Sequence, residues 1–103
     1  MKPELWIGLV ELKPLNKEEY GAAGAFTNIV TWATGVESFR SKAEAVAPTL
    51  AMYVAGIENA EPLRTRFVDR VTTEEIEDMV IRAESNPAAI VYGTFHTYPH
   101  DEA

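Results

Sequence analysis

Two periods of apolar residues alternate along the chain and divide it into strands and helices. Leu5-Trp6-Ile7-Gly8-Leu9-Val10-Glu11-Leu12 is apolar on both alternating faces, which predicts a strand covered on both sides. Pro14 ends it, because proline cannot donate to a ladder. Residues 15 to 24, with Lys17, Glu18 and Glu19 before Gly21-Ala22-Ala23-Gly24, read as a loop. Ala25 to Ala33 is a second strand: Phe26, Asn28, Val30 and Trp32 alternate with Ala25, Thr27, Ile29 and Thr31, and β-branched residues favour the pleat.

The period then lengthens. Thr34-Gly35-Val36-Glu37 has capping-box spacing, and Val36, Phe39, Ala43, Val46 and Leu50 form one helical stripe. Pro48 requires this helix to end near Val46 or to kink. Met52 to Glu58 predicts a third strand, with Asn59 and Pro62 marking its end. In Leu63 to Val71, Arg64, Arg66, Val68 and Arg70 alternate with Thr65, Phe67 and Asp69, which permits a weak strand or a loop. Thr72-Thr73-Glu74-Glu75 opens a second helix with Ile76, Met79, Val80 and Ala83 as its buried stripe. Acidic residues crowd its first turns, where the helix dipole favours them, and Asn86-Pro87 stops it. Ala89 to Thr97 is the final strand, and Tyr98 to Ala103 a short tail.

The order predicts an α+β domain spanning residues 1–103: a two-layer sandwich with a mostly antiparallel sheet of four or five strands and two helices on one face. With the Arg-rich segment as a strand, the order from the second strand onward is βαββαβ, which is ferredoxin-like, and the first strand joins an edge. With that segment as a loop, the first two strands pair as a hairpin. Either way one sheet face is left open. Val91 and Phe95 are purely apolar and are assigned to the helix side, so Tyr92, His96 and Tyr98 face outward. Trp6, Trp32 and Tyr53 have no assignable face, though some should join them. An aromatic open face implies a cover, and a second copy of the chain is the first expectation.

Composition narrows the function classes. Of 103 residues, 47% are apolar and 24% charged, a globular balance. No apolar run approaches the roughly 18 residues of a membrane span. Sixteen acidic against nine basic residues give a net charge of −7, which opposes binding to nucleic acid or an anionic membrane. The absence of cysteine excludes disulfides and thiolate chemistry. With a start, Met1-Lys2-Pro3-Glu4, that does not read as a secretory signal, the expected compartment is the cytoplasm.

Candidate chemistry is sparse. His96 and His100 are the two histidines, but Pro99 and the strand context deny them a compact ligand face, so neither a metal site nor a cofactor is expected. His96 and Tyr98, two apart on one strand face, are candidate acid–base groups, with Glu11 or Glu58 as carboxylate partner. The plainer reading makes them amphipathic residues at an interface. Arg64 and Arg66, with Arg70, offer a fork for an oxyanion or an acidic partner. The plainer reading has them balance Glu58, Glu61 and Asp69 on a solvated edge. Trp32, Tyr53 and Tyr92, with Arg64 and Arg66, are the candidate ligand- or partner-binding residues. Gly21-Ala22-Ala23-Gly24 precedes a strand and lacks a Walker lysine, so it is a turn and not a phosphate loop. Ser38, Ser41 and Ser85 have no nucleophile-elbow context.

Tyr92-Gly93-Thr94-Phe95-His96-Thr97-Tyr98-Pro99 resembles the ending of short bacterial proteins of unassigned function, as does Ile57-Glu58-Asn59-Ala60-Glu61-Pro62-Leu63. The resemblance implies a bacterial origin and transfers no catalytic role. The expected function is therefore a non-enzymatic interaction protein, a homodimer through its open sheet face or the antagonist of a basic protein partner. The alternative is a small-molecule-binding protein or acid–base enzyme with its pocket at that face.

Overall fold

Strand β1 (Glu4–Pro14) runs through the middle of a 5-stranded antiparallel sheet. The computed structural model describes residues 2–16, 23–69 and 73–98. On one side β1 pairs with β2 (Gly24–Ala33), with Ile7 opposite Val30 and Val10 opposite Thr27. On the other it pairs with β3 (Met52–Pro62). The far edge of β2 carries two short strands, β4 (Ile90–Tyr92) and β5 (His96–Tyr98). The first two strands are thus a hairpin, and the first strand is central instead of at an edge.

Helix α1 (Val36–Val46) and the 3-10 turn Ala47–Leu50 set Phe39, Ala43 and Ala47 against Val10, Leu12, Ile29 and Ala33. Helix α3 (Glu74–Glu84) sets Met79 and Ala83 against Ile7 and Val30, joined by Leu63 of α2 (Leu63–Asp69). Ile7 and Val10 are both fully buried, and their odd spacing puts them on opposite faces of the pleat. The helices therefore lie on both faces of the sheet, not on one. Both faces carry apolar side chains where the helices lie, Ile7 and Val30 on one and Val10 and Ile29 on the other, and each set needs a helix to remove it from water. Burial of one side chain such as Phe39 stabilises by roughly 1.5–3 kcal/mol. The close approach of α1 depends on Gly8, where a Cβ would stand 2.8 Å from the Phe39 ring.

The Arg-rich segment is helical up to Asp69, so the ferredoxin-like order is not the one formed. Pro62 stands just before the helix, a position proline suits, and Leu63 and Arg66 are buried at helical spacing. Asn59 does not end β3. It adopts a left-handed φ of 55°, which asparagine tolerates, close to where the β1–β3 register shifts between Ile7 and Leu9. Helix α1 ends at Val46 as Pro48 requires, but its N-cap is Gly35 with no side-chain bond, so Thr34 caps nothing there. Helix α3 is capped by Thr73, whose hydroxyl accepts from Ile76 N at 3.2 Å. Thr72, Arg70, Gly21, Ala22 and the tail with His100 lie outside the described residues. Among the described residues no helix is long and apolar enough to cross a membrane.

Candidate functional site

The final strand is broken, and the break decides which residues share a face. Tyr92 lies opposite Ile29, and His96 lies opposite Phe26. Three steps along β2 are therefore matched by four along the edge, which is a bulge. Gly93 N donates to Asn28 O at 3.0 Å within it. Glu75, in the first turn of α3, pins the bulge: Oε1 accepts from Thr94 N at 2.7 Å and Oε2 from the Thr94 hydroxyl at 3.1 Å. These two bonds, the backbone N–H first, hold the Glu75 carboxyl below the usual carboxylate range, with a smaller contribution from the charge of His96.

The bulge turns Tyr92 and Phe95 to the α1 side, where their rings pack at 5.5 Å. Val91 packs in the core beneath α3. Val91 and Phe95 are therefore on opposite faces, and Tyr92 does not share a face with His96 and Tyr98. The one-residue insertion inverts the alternation that an unbroken strand would keep.

On the α3 face, among the described residues, the helices cover only the half of the sheet around Ile7, Val30 and Val91. The other half is open. Its register sets Glu11 beside Phe26 and His96 in one row; beyond that row Lys13 pairs with Tyr53 and Gly24 with Tyr98. Leu9, Asn28 and Glu58 form a third row nearer the helices. Tyr53 is 43% exposed, and His96 and Glu58 are exposed. The Tyr98 ring packs on Phe26 at 5.6 Å. Its hydroxyl donates to Glu11 Oε2 at 2.5 Å.

That hydroxyl reaches β1 because β2 carries glycine at position 24. A Cβ on Gly24 would sit 2.3 Å from Tyr98 Oη. The bond to Glu11 pushes the Tyr98 phenol up to about 12, with burial and the Glu11 charge adding to it. Tyr98 is thus a proton donor at neutral pH and not a base. Glu11 is its acceptor. Among the described residues no group of three or more His, Asp or Glu stands where it could hold a metal ion.

Four sequence-derived candidates, His96, Tyr98, Glu58 and Tyr53, therefore share this half-face. The others do not. Trp32 lies under α3 and its indole donates to Ala83 O at 2.8 Å, a structural role. Tyr92 is on the α1 side. Arg64 makes an exposed ion pair with Glu4 at 2.7 Å. Arg66 is 9% exposed, pairs with Glu61 and donates to Asn59 O at 3.1 Å. Its guanidinium is engaged within the chain and ties α2 to β3. Sequence reasoning missed Lys13, Phe26 and Gly24; the even spacing of Phe26 and Trp32 was the available signal for the first of the aromatic pair.

Comparison of the chain with protein-family models, curated proteins and solved structures finds no match.

Proposed function

We propose that this protein is a non-enzymatic interaction protein that forms a homodimer through the open half of its α3 face. The observation that carries the reading is the Phe26–Tyr98–Tyr53 aromatic surface, which no described helix covers. Its charges suit a second copy. Lys13 and, when protonated, His96 stand among Glu11 and Glu58. A two-fold interface that sets Lys13 of one copy against Glu11 or Glu58 of the other forms each pair twice. On a chain of net charge −7 a patch that carries both signs lowers the repulsion between two copies. The cysteine-free composition keeps the cytoplasm as the compartment of this reading.

A second reading has one observation in its favour. The Tyr98 hydroxyl, the Glu11 carboxylate and His96 lie on the same half-face, as an acid–base site or a small-molecule-binding site needs. It takes a proton donor from Tyr98 and a base from Glu11 or His96.

Native mass spectrometry and light scattering from micromolar to millimolar protein test the proposal. A concentration-dependent dimer is expected, with amide shifts on dilution at Phe26, Tyr53 and Tyr98. A chain that stays monomeric throughout overturns it. A retained small molecule on a monomer moves the reading to the second.

A further inference from the structure

The α1 face also has an end that its helix does not reach. Pro48 ends α1 at Val46, and the turn Ala47–Leu50 closes with Ala51 in a left-handed φ of 58°. The chain thus enters β3 before it has covered the last rows of the sheet. Leu15 N donates to Ala51 O at 3.0 Å and fixes the end of β1 against this turn. Across the sheet, the bulge brings Phe95 over to the same side. Between them lies a cavity of about 210 Å³ lined by Pro14, Ala25, Leu50, Met52, Phe95 and Thr97, with Gly24 at its edge.

We propose that this cavity binds an uncharged, single-ring aromatic molecule. Volume sets the size of the ligand. An apolar cavity of roughly 150 Å³ holds benzene, and pockets for drug-sized molecules begin at roughly 300 Å³. The cavity at Leu50 and Met52 lies between, so it takes one ring with a small substituent. The lining sets the chemistry. Phe95 presents a ring and Met52 a thioether, both of which favour an aromatic partner. Among the described residues no charged side chain lines it, and Thr97 has the only polar one. An anionic ring gains no counter-ion from these residues and meets the field of a chain of net charge −7. The side chains that line it lie on the opposite face from the proposed dimer surface, with Gly24 between the two.

Toluene titrated into the 103-residue chain, followed by the methyl resonances of Met52, Leu50 and Ala25, tests the site. Saturable shifts confined to these groups are expected below the solubility limit of toluene. Benzoate, of similar size but charged, is expected to give at least tenfold weaker binding. Ala25→Leu and Thr97→Phe, which place side chain in the cavity, are each expected to weaken toluene at least tenfold. The Thr97 variant changes an exposed edge position, so it tests the site even where the buried Ala25 variant fails to fold. Absence of saturable shifts in the wild type overturns the proposal, as do equal binding of benzoate or undiminished binding in a folded filled variant. Shifts at the same methyls that follow protein concentration without toluene also overturn it, because the occupant is then a second copy.

Discussion

The Tyr98 hydroxyl crosses β2 above Gly24 and donates to Glu11 Oε2 on β1 at 2.5 Å. The contact joins the end of the chain to its first strand and holds β5 on the sheet. A hydrogen bond to a charged acceptor contributes roughly 1.5–3 kcal/mol. The lower end applies on this half-exposed surface, so Tyr98→Phe is expected to lower unfolding stability by about 1.5 kcal/mol. Urea unfolding at neutral pH measures it.

The same contact sets an alkaline limit. Tyr98 keeps its proton up to about 12 in the fold, against about 10 in an unfolded chain. Between those values the unfolded chain binds fewer protons, so stability falls as pH rises. The contribution is complete below pH about 10 and is lost toward pH about 12. Paired urea titrations across this window are expected to show a steeper alkaline decline in the wild type than in Tyr98→Phe. Equal slopes would place the phenol in an ordinary environment.

Gly24 and Gly56 provide a matched comparison. A Cβ at Gly24 meets Tyr98 Oη at 2.3 Å and the Leu12 carbonyl oxygen at 2.8 Å, whereas at Gly56 the nearest atom is Glu11 Oε1 at 3.8 Å. Overpacking costs roughly 1–3 kcal/mol. Gly24→Ala is therefore expected to destabilise by about 2 kcal/mol, while Gly56→Ala is expected to be neutral or slightly stabilising. Thermal melts of the two variants decide the matter.

How far the sequence revealed this arrangement depends on which interactions are local. Strand β1 was legible as covered on both sides, since Ile7 and Val10 are apolar on opposite faces. That pattern already implied helices on both faces, yet helix order alone suggested one side. The stripe of α3 was legible because Met79 and Ala83 are one helical turn apart. The bulge at residues 93–95 was not. Its cause is tertiary: Glu75, 19 positions upstream, takes the Thr94 amide that an unbroken strand would use in its ladder. Once hidden, that insertion misplaced Tyr92. The strand option for Leu63 to Val71 put Arg64 and Arg66 on one face, whereas two residues apart on a helix lie on different ones; the pairing of Arg66 with Glu61 was part of the plainer reading.

The two arginines are expected to behave differently on substitution. Arg66 is enclosed and holds both Glu61 and the Asn59 carbonyl, so Arg66→Ala leaves a half-buried carboxylate without its partner. The expected loss is about 3 kcal/mol, the low end for breaking a buried pair. The Arg64 side chain is 74% exposed, and Arg64→Ala is expected to leave stability nearly unchanged. Salt dependence separates them further, since screening weakens the exposed Arg64–Glu4 pair much more than the enclosed one. Urea unfolding of both variants at low and high salt is the measurement.

Tyr53 and Tyr92 give the sharpest test of which face two copies share. They are similarly exposed, at 43% and 40%, and stand on opposite faces of the sheet. A carboxylate placed inside an interface without a counter-charge must be desolvated. At the centre of an interface such a change costs about 2 kcal/mol or more, or at least roughly thirtyfold in the dissociation constant. Tyr53→Glu is expected to shift the chain to monomer by that factor, and Tyr92→Glu to leave the dimer intact. Circular dichroism at matched concentration checks that both variants stay folded. Dimer loss in Tyr92→Glu alone would move the interface to the α1 face, beside the apolar cavity, and leave the Tyr98–Glu11 surface free for a different partner.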